Sequence, residues 1–257
     1  GLIVKLTYIL VRKKDHEAQD EFTLQYIGEH AMHTPASALP QAIGEIHRMG
    51  DMAVQNLNDA CEALISNRSD LIRNVMDKEK VIDYLSQEIT KYLINANQLS
   101  LPISDRKMLA GLFHVVNDIE RIGDHAVNIA EDAEKKIEGG YTFSTHGEGE
   151  LREMIELVNQ EIELSFKMFY NNDKNHLDAI LEYEDKVDKM ELAIQDNYVR
   201  RLNEGICKPE AGIMFSDLAS NLERVGDHAT NIAFSILDED PETDKEKELL
   251  EHLEEVT

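Results

Sequence analysis

The stretch "ERIGDHAVNIA" occupies residues 120–130, and "ERVGDHATNIA" occupies residues 223–233. Nine of the eleven positions are identical, and the copies lie 103 residues apart. The two differences set Ile122 against Val225 and Val127 against Thr230. Apolar residues recur three and four apart through both copies, the period of an amphipathic helix. The likeness continues upstream, where "EKVID" (Glu79, Asp83) and "EDKVD" (Glu184, Asp188) precede Glu120 and Glu223 by 41 and 39 residues. A difference of two residues is what one loop insertion produces. The repeating unit is therefore a set of three helices, present twice.

Helical periodicity covers the rest of the chain in the same way, and no strand-like alternation of any length occurs. Thr34 caps a long first helix and Pro35 takes its first position. "SNRSD" (Ser66–Asp70) is a turn, and a second helix follows as far as Ala96. "LSLPISD" breaks it, and a third helix opens at Pro102 or Ser104 and ends at Gly139-Gly140. The pattern restarts with helices from about Leu151 to Tyr170, from His176 to about Asn203, and from Pro209 to about Leu237. The expected fold is all-α, two tandem antiparallel three-helix bundles over residues 34–140 and 141–240. Residues 1–33 form a leader, and residues 241–257 an acidic tail with a short helix.

Composition excludes several functions. With a formal net charge of −25, the chain lacks the Lys/Arg stripes that bind nucleic-acid backbones. That charge suits cations or a basic protein partner, and it also serves solubility alone. Cys61 and Cys207 stand far apart, with neither a CxxC motif nor a Cys/His cluster, and read as small core residues in a reducing compartment. No phosphate-binding loop, GxGxxG motif or nucleophile elbow occurs. Glu-x-x-His pairs of the di-iron bundle enzymes are absent too. The chain reads as a non-enzyme.

On a helical wheel, Asp124, Asn128, Glu131 and Asn117 all fall within about 80° of Glu120, given 3.6 residues per turn. Val115, Ile119, Ile122, Ala126, Ile129 and Ala133 gather on the opposite side. The acids thus read as an outward stripe, repeated by Ser220, Glu223, Asp227 and Asn231, with Phe234 standing where Glu131 stood. Like charges one turn apart destabilise a helix by a few tenths of a kcal/mol, and a cation between them reverses the sign. Glu120, Asp124, Glu223 and Asp227 are the candidate ligands for a hard cation, with Asn128 and Asn231 beside them. Glu79, Asp83, Glu184 and Asp188 are weaker candidates, since helix-to-helix salt bridging accounts for them better. Gly123 and Gly226 cost about 1 kcal/mol each inside a helix relative to Ala, which makes sense where another group approaches closely. His125 and His228 lie off the stripe and read as packing or supporting residues. All-oxygen ligands admit Mg, Ca, Mn or Fe, and a nearby histidine leaves Zn and Ni open; the ion is divalent or trivalent. A helical adaptor without metal is the competing reading.

The leader "GLIVKLTYILVRKK" is apolar and then basic at Arg12, Lys13 and Lys14. It is too short to span a bilayer, which needs about 20 apolar residues. It reads either as the cytoplasmic end of a membrane helix that continues upstream or as an amphipathic packing segment.

The paired "ERIGDHAVNIAE" and "ERVGDHATNIA" resemble the signature of PhoU domains, helical regulators of phosphate uptake, over roughly Leu39 to Leu237. The resemblance implies two three-helix bundles that hold metal through these acidic motifs. The stretch "YIGEHAMHTPASALPQAIGEIHRMG" is similar to the segment that joins the membrane domain of sodium/phosphate cotransporters to a PhoU-like tail. Its marks are Tyr26 to Glu29, Thr34-Pro35 to Leu39, and Glu45 to Met49. Together with the leader, this makes a cotransporter's cytoplasmic regulatory domain the expected function. The partner would then be the transporter's membrane domain, at the cytoplasmic side of the membrane. A free-standing PhoU regulator that contacts a phosphate ABC transporter and a sensor kinase is the alternative. Self-association and phosphate binding through the metal stay open.

Overall fold

The computed structural model describes residues 22–28, 35–205 and 209–237. Six α-helices make up most of that chain, with no strand among the described residues. α1 (Pro35–Ser66), α2 (Ser69–Ala96) and α3 (Ile103–Gly139) pack on one another. α4 (Thr145–Asn171), α5 (Leu177–Asn203) and α6 (Pro209–Phe234) do the same, with a short 3-10 turn at Lys174–His176 between α4 and α5. The two bundles meet mainly along α3 and α6, and more slightly between α1 and α4.

Apolar spacing explains these contacts. α3 buries Leu109, Leu112, Val115, Val116, Ile119, Ile122, Ala126, Ile129, Ala130 and Ala133, a stripe wide enough to face two neighbours in its own bundle and α6 in the other. In consequence the apolar core continues from Ala38 on α1 to Ile232 on α6 without a break between the bundles. A smaller cluster of Met168, Leu177, Ile180, Ala233 and Phe234 closes one end of the second bundle. Phe234 therefore fills a core, which explains why no acid stands there as Glu131 does in the first copy.

Helix ends follow their local chemistry. Gly140 closes α3 in the left-handed conformation (φ 63°), and Tyr141 N–H returns to the Lys136 carbonyl. Asn67 (φ 53°) and Asn172 (φ 50°) take the left-handed role after α1 and α4. The carbonyl of Leu64, in the last turn of α1, accepts from the buried Lys136 ammonium at 2.7 Å. α4 begins at Thr145, not near Leu151, because the Ser144 hydroxyl accepts from Gly147 N–H and caps it. The glycines in "THGEGE" disguised that turn as a loop.

Residues 22–28 lie against α1. The fully buried Glu45 carboxylate accepts from the backbone N–H groups of Tyr26 and Ile27, and Arg48 donates to Thr23 O at 2.7 Å. A side chain at Gly44 would meet the Tyr26 ring at 2.8 Å, so the ring rests directly on the helix backbone there. The Tyr26 and Glu45–Met49 marks singled out in the sequence are thus two halves of one contact.

No helix among the described residues is long and apolar enough to cross a membrane. The expected membrane-segment end within 1–21, the Thr34 cap, Cys207 and the acidic tail all lie outside the described residues. Cys61 is buried in the core, and burial pushes its thiol up to about 12, as expected of an unreactive filler.

Candidate functional site

Each repeated motif brings its acids against the acids of the preceding helix. In the first bundle, Glu120 and Asp124 on α3 face Glu79 and Asp83 on α2. Glu79 is buried, and its carboxyl is pushed up to about 8, first by burial and then by the charges of Asp83, Asp124 and Glu120. Burial and Asp124 raise Asp83, and the same two influences raise Glu120. Arg121 lies along the solvent side, 3.1 Å from Asp124 and 3.8 Å from Glu120.

Gly123 is what lets Glu79 in. A Cβ at this position would stand 2.6 Å from Glu79 Oε2, so the carboxylate occupies the space that any other residue would fill. Its Oε2 accepts a long bond from Asn56 Nδ2 at 3.5 Å, while Oε1 has no hydrogen-bond partner among the described residues.

The second bundle repeats the arrangement with more acid. Glu223 and Asp227 on α6 face Glu184 and Asp188 on α5, and one carboxylate oxygen each from Asp188, Glu223 and Asp227 lie within 4.8 Å of one another. Burial and neighbouring acids push Glu184 and Glu223 up to about 7, and they raise Asp227 as well. Beneath them lies Glu161 of α4, with no exposed surface. It too is pushed up to about 8, chiefly by burial, although a hydrogen bond from Thr230 pulls the other way. Here Gly226 makes the room, since a Cβ would stand 2.8 Å from Glu161 Oε2. Thr230 donates to Oε1 at 2.8 Å, and Oε2 has no partner among the described residues.

The structure revises the sequence reading of these residues in three ways. The acid stripe does not point away from the bundle. It lies on the flank between core and solvent, because α2 packs along that side of α3; the Glu120 side chain is 26% exposed and Asp124 42%. Glu79, Asp83, Glu184 and Asp188, read as weaker candidates, stand opposite the motif acids. Asn128 is turned away from its acids and donates to Asn221 Oδ1 at 3.2 Å across the seam with α6. Asn231 is half-buried on α6, one turn beyond Asp227.

Glu161 was missed altogether. Its signal was present: an acid on the apolar stripe of α4, among Met154, Val158, Ile162 and Phe166, all buried.

The motif histidines serve the seam between the bundles. His125 Nδ1 is 2.8 Å from Asn221 Oδ1, and His228 Nδ1 is 3.0 Å from Asp118 Oδ1. Their rings lie 5.6 Å apart. Burial holds the His125 pKa below its ordinary value.

Nothing in either cluster has the form of a catalytic constellation with a nucleophile and an orienting base. Both clusters have the form of a cation cradle. Carboxylates outnumber the arginine at the solvent edge of the first cluster, and each cradle holds a buried oxygen with no hydrogen-bond partner among the described residues. The donors are hard oxygens throughout, which fit a hard cation.

A sequence profile of the PhoU domain matches residues 46–133 and 151–236, one match per bundle. The chain is 30% identical over 195 residues to the phosphate-specific transport system accessory protein PhoU homolog 1 of Thermotoga maritima, spanning 75% of this chain and 83% of that protein. It is 27% identical over 205 residues to the phosphate-specific transport system accessory protein PhoU homolog of Clostridium acetobutylicum, spanning 78% and 91%. In fold it is similar to the crystal structure of PhoU from Pseudomonas aeruginosa, with a TM-score of 0.75 at 24% identity over 79% of this chain and 97% of that one.

Proposed function

Because this chain belongs to the PhoU domain family, we propose that it is a regulatory accessory of phosphate transport that loads cations in its two acidic cradles. The family match in both bundles, with relatives that carry the name of transport accessory proteins, supports the regulatory reading. The observation that carries the cation reading is the pair of buried carboxylate oxygens, Glu79 Oε1 and Glu161 Oε2, that have no hydrogen-bond partner among the described residues. Glu79, Asp83, Glu120 and Asp124 would hold the cation of the first bundle. Glu161, Glu184, Asp188, Glu223 and Asp227 would hold that of the second.

A bound cation supplies the positive charge that phosphate would need on a chain of net charge −25. The protein's own groups do the rest: they fix the acids on rigid helices, exclude water beneath them at Gly123 and Gly226, and present the cradles' open sides to solvent. The partner is a transporter at the cytoplasmic face of the membrane.

The test is functional replacement. In a bacterium that lacks its own PhoU, this chain should restore restraint of phosphate uptake and of the phosphate-starvation response. Unchanged uptake with well-expressed, folded protein would refute the regulatory reading. Elemental analysis of protein purified without a His-tag tests the cation reading separately, and protein free of stoichiometric metal that stays unaltered by added divalent ions would refute it.

A second reading rests on residues 22–49. There the cotransporter-like segment is anchored to α1 through Glu45, Arg48 and Gly44, a contact suited to a covalent link between a membrane domain and this module. An upstream reading frame rich in membrane helices and continuous with Gly1 would favour it, and a start codon just before Gly1 would eliminate it.

A further inference from the structure

The two cradles are not equivalent, and the differences lie at matched positions. The α1 residue that corresponds to Glu161 is Asn56, each 23 residues before the glutamate of the next helix, Glu79 or Glu184. Asn56 is as fully buried as Glu161. Its Nδ2 reaches Val75 O at 3.3 Å and Glu79 Oε2 at 3.5 Å. The first bundle thus carries a neutral amide where the second carries a carboxylate.

One of the two differences in the repeated motif follows this exchange. Thr230 replaces Val127, and its hydroxyl is the donor that holds Glu161 Oε1 at 2.8 Å. In the first bundle Val127 stands at that position, and the buried Asn56 Oδ1 has no hydrogen-bond partner among the described residues. The exchange also decides which carboxylate lies against the motif glycine. Glu79 does so in the first bundle, and Glu161 in the second. Glu184 is thereby left beside the acids of α5 and α6. Five carboxylates therefore converge in the second bundle and four in the first. Among the described residues, the one trio of acids close enough to share an ion is Asp188, Glu223 and Asp227 in the second.

Building on the cation reading above, we infer that the second-bundle cradle binds a hard cation more tightly than the first and fills before it, with Glu161, oriented by Thr230, as the residue that sets the difference. When ionised, the extra buried carboxylate adds a negative charge and an oxygen donor from beneath. It comes from a rigid helix, so little ordering is required when the ion arrives. Thr230 leaves Oε2 as the oxygen that faces the cradle.

The experiment uses the full chain, stripped with a chelator and titrated with Mn²⁺, with binding read from the loss of the free-ion electron paramagnetic resonance signal. The native chain should show two classes of site at least tenfold apart in affinity. Asp227→Asn should remove the tighter class and Asp124→Asn the weaker. Glu161→Gln, which preserves volume, should weaken the tighter class at least tenfold. Thr230→Val should weaken it about tenfold, as loss of a group that orients a ligand does. The reciprocal pair Asn56→Glu with Val127→Thr should tighten the weaker class. Far-UV circular dichroism identifies any variant that fails to fold, and the Thr230 and Asn56/Val127 variants then carry the test.

Equal affinities in the native chain would overturn this inference while leaving the cation reading intact. So would a tighter class that survives Glu161→Gln and Thr230→Val in folded protein, or one that Asp124→Asn removes. No Mn²⁺ binding at all would overturn both.

Discussion

Glu161→Gln offers a direct measure of what the crowding of buried carboxyls costs the fold. The folded chain holds this carboxyl at about 8, against an ordinary value of 4.5. A carboxyl with a raised folded pKa binds its proton more tightly in the folded state. Its contribution is intact below the unfolded pKa, and stability is lost as pH rises from there through the folded one. At pH 7 the folded chain has given up about 3 kcal/mol by this route, at ~1.4 kcal/mol per pH unit above 4.5. At pH 5 the same sum is under about 1 kcal/mol. Glutamine mimics the protonated acid in shape, keeps an oxygen for Thr230 and cannot ionise. In chelator, the substitution should therefore be near neutral at pH 5 and stabilising by about 3 kcal/mol at pH 7. For a chain of this length that is a rise in Tm of about 6–12 °C at pH 7. Thermal unfolding followed by circular dichroism at the two pH values is the assay. An equal effect at both, or destabilisation at pH 7, would show that the Glu161 carboxyl is not held neutral by the cradle.

Three further outcomes follow from other contacts. Asp124→Asn should leave the fold intact, slightly raise stability in chelator and reduce the stabilisation by divalent cations; combined with Asp227→Asn it should nearly abolish that shift, which is about 2.7 kcal/mol at one hundred times the Kd in the native chain. A full cation-induced rise in Tm in the double variant would reject these acids as ligands. Lys136→Met removes the buried ammonium that Leu64 O and Asn67 Oδ1 accept from, and should cost about 1–3 kcal/mol in urea unfolding; a neutral result would mean that water replaces the ammonium without penalty. Glu45→Ala strips the acceptor from Tyr26 and Ile27 N–H, and hydrogen exchange at those two amides should speed at least tenfold while α4–α6 stay unchanged. Unchanged exchange would show that the remaining contacts, Arg48 to Thr23 O and Tyr26 on Gly44, hold the segment without Glu45.

Much of this could be read from the sequence because duplication is a one-dimensional signal. Two copies of the motif, each with an upstream acid pair, gave the helix order and the acids of α2, α3, α5 and α6. What escaped notice was what crosses between helices. A wheel drawn on α3 alone separates Glu120 from the apolar residues and cannot show that α2 closes over that flank. The same wheel leaves Gly123 without a neighbour, although its missing side chain is the space that Glu79 enters. Glu161 was hidden among the apolar residues of α4, where the signals were an acid on an apolar stripe and, within the motif, the exchange of Val127 for Thr230. Asn128 faces α6 rather than its own acids because the seam between the bundles takes up that side of α3.

That seam has a further consequence. Asp118 meets His228 and Asn221 meets His125, so position for position each half offers the other the same two residues. A surface that pairs with its own copy in this reciprocal way is the hallmark of a twofold dimer. Here the same arrangement is contained in one polypeptide, and the junction between the bundles has the form of an oligomer interface with its halves joined covalently. Fusion removes the requirement that both halves stay identical. A change such as Asp118 against Asn221, or Asn56 against Glu161, would strike a homodimer twice, whereas in the fused chain it strikes once and lets one half specialise while the other keeps the ancestral part.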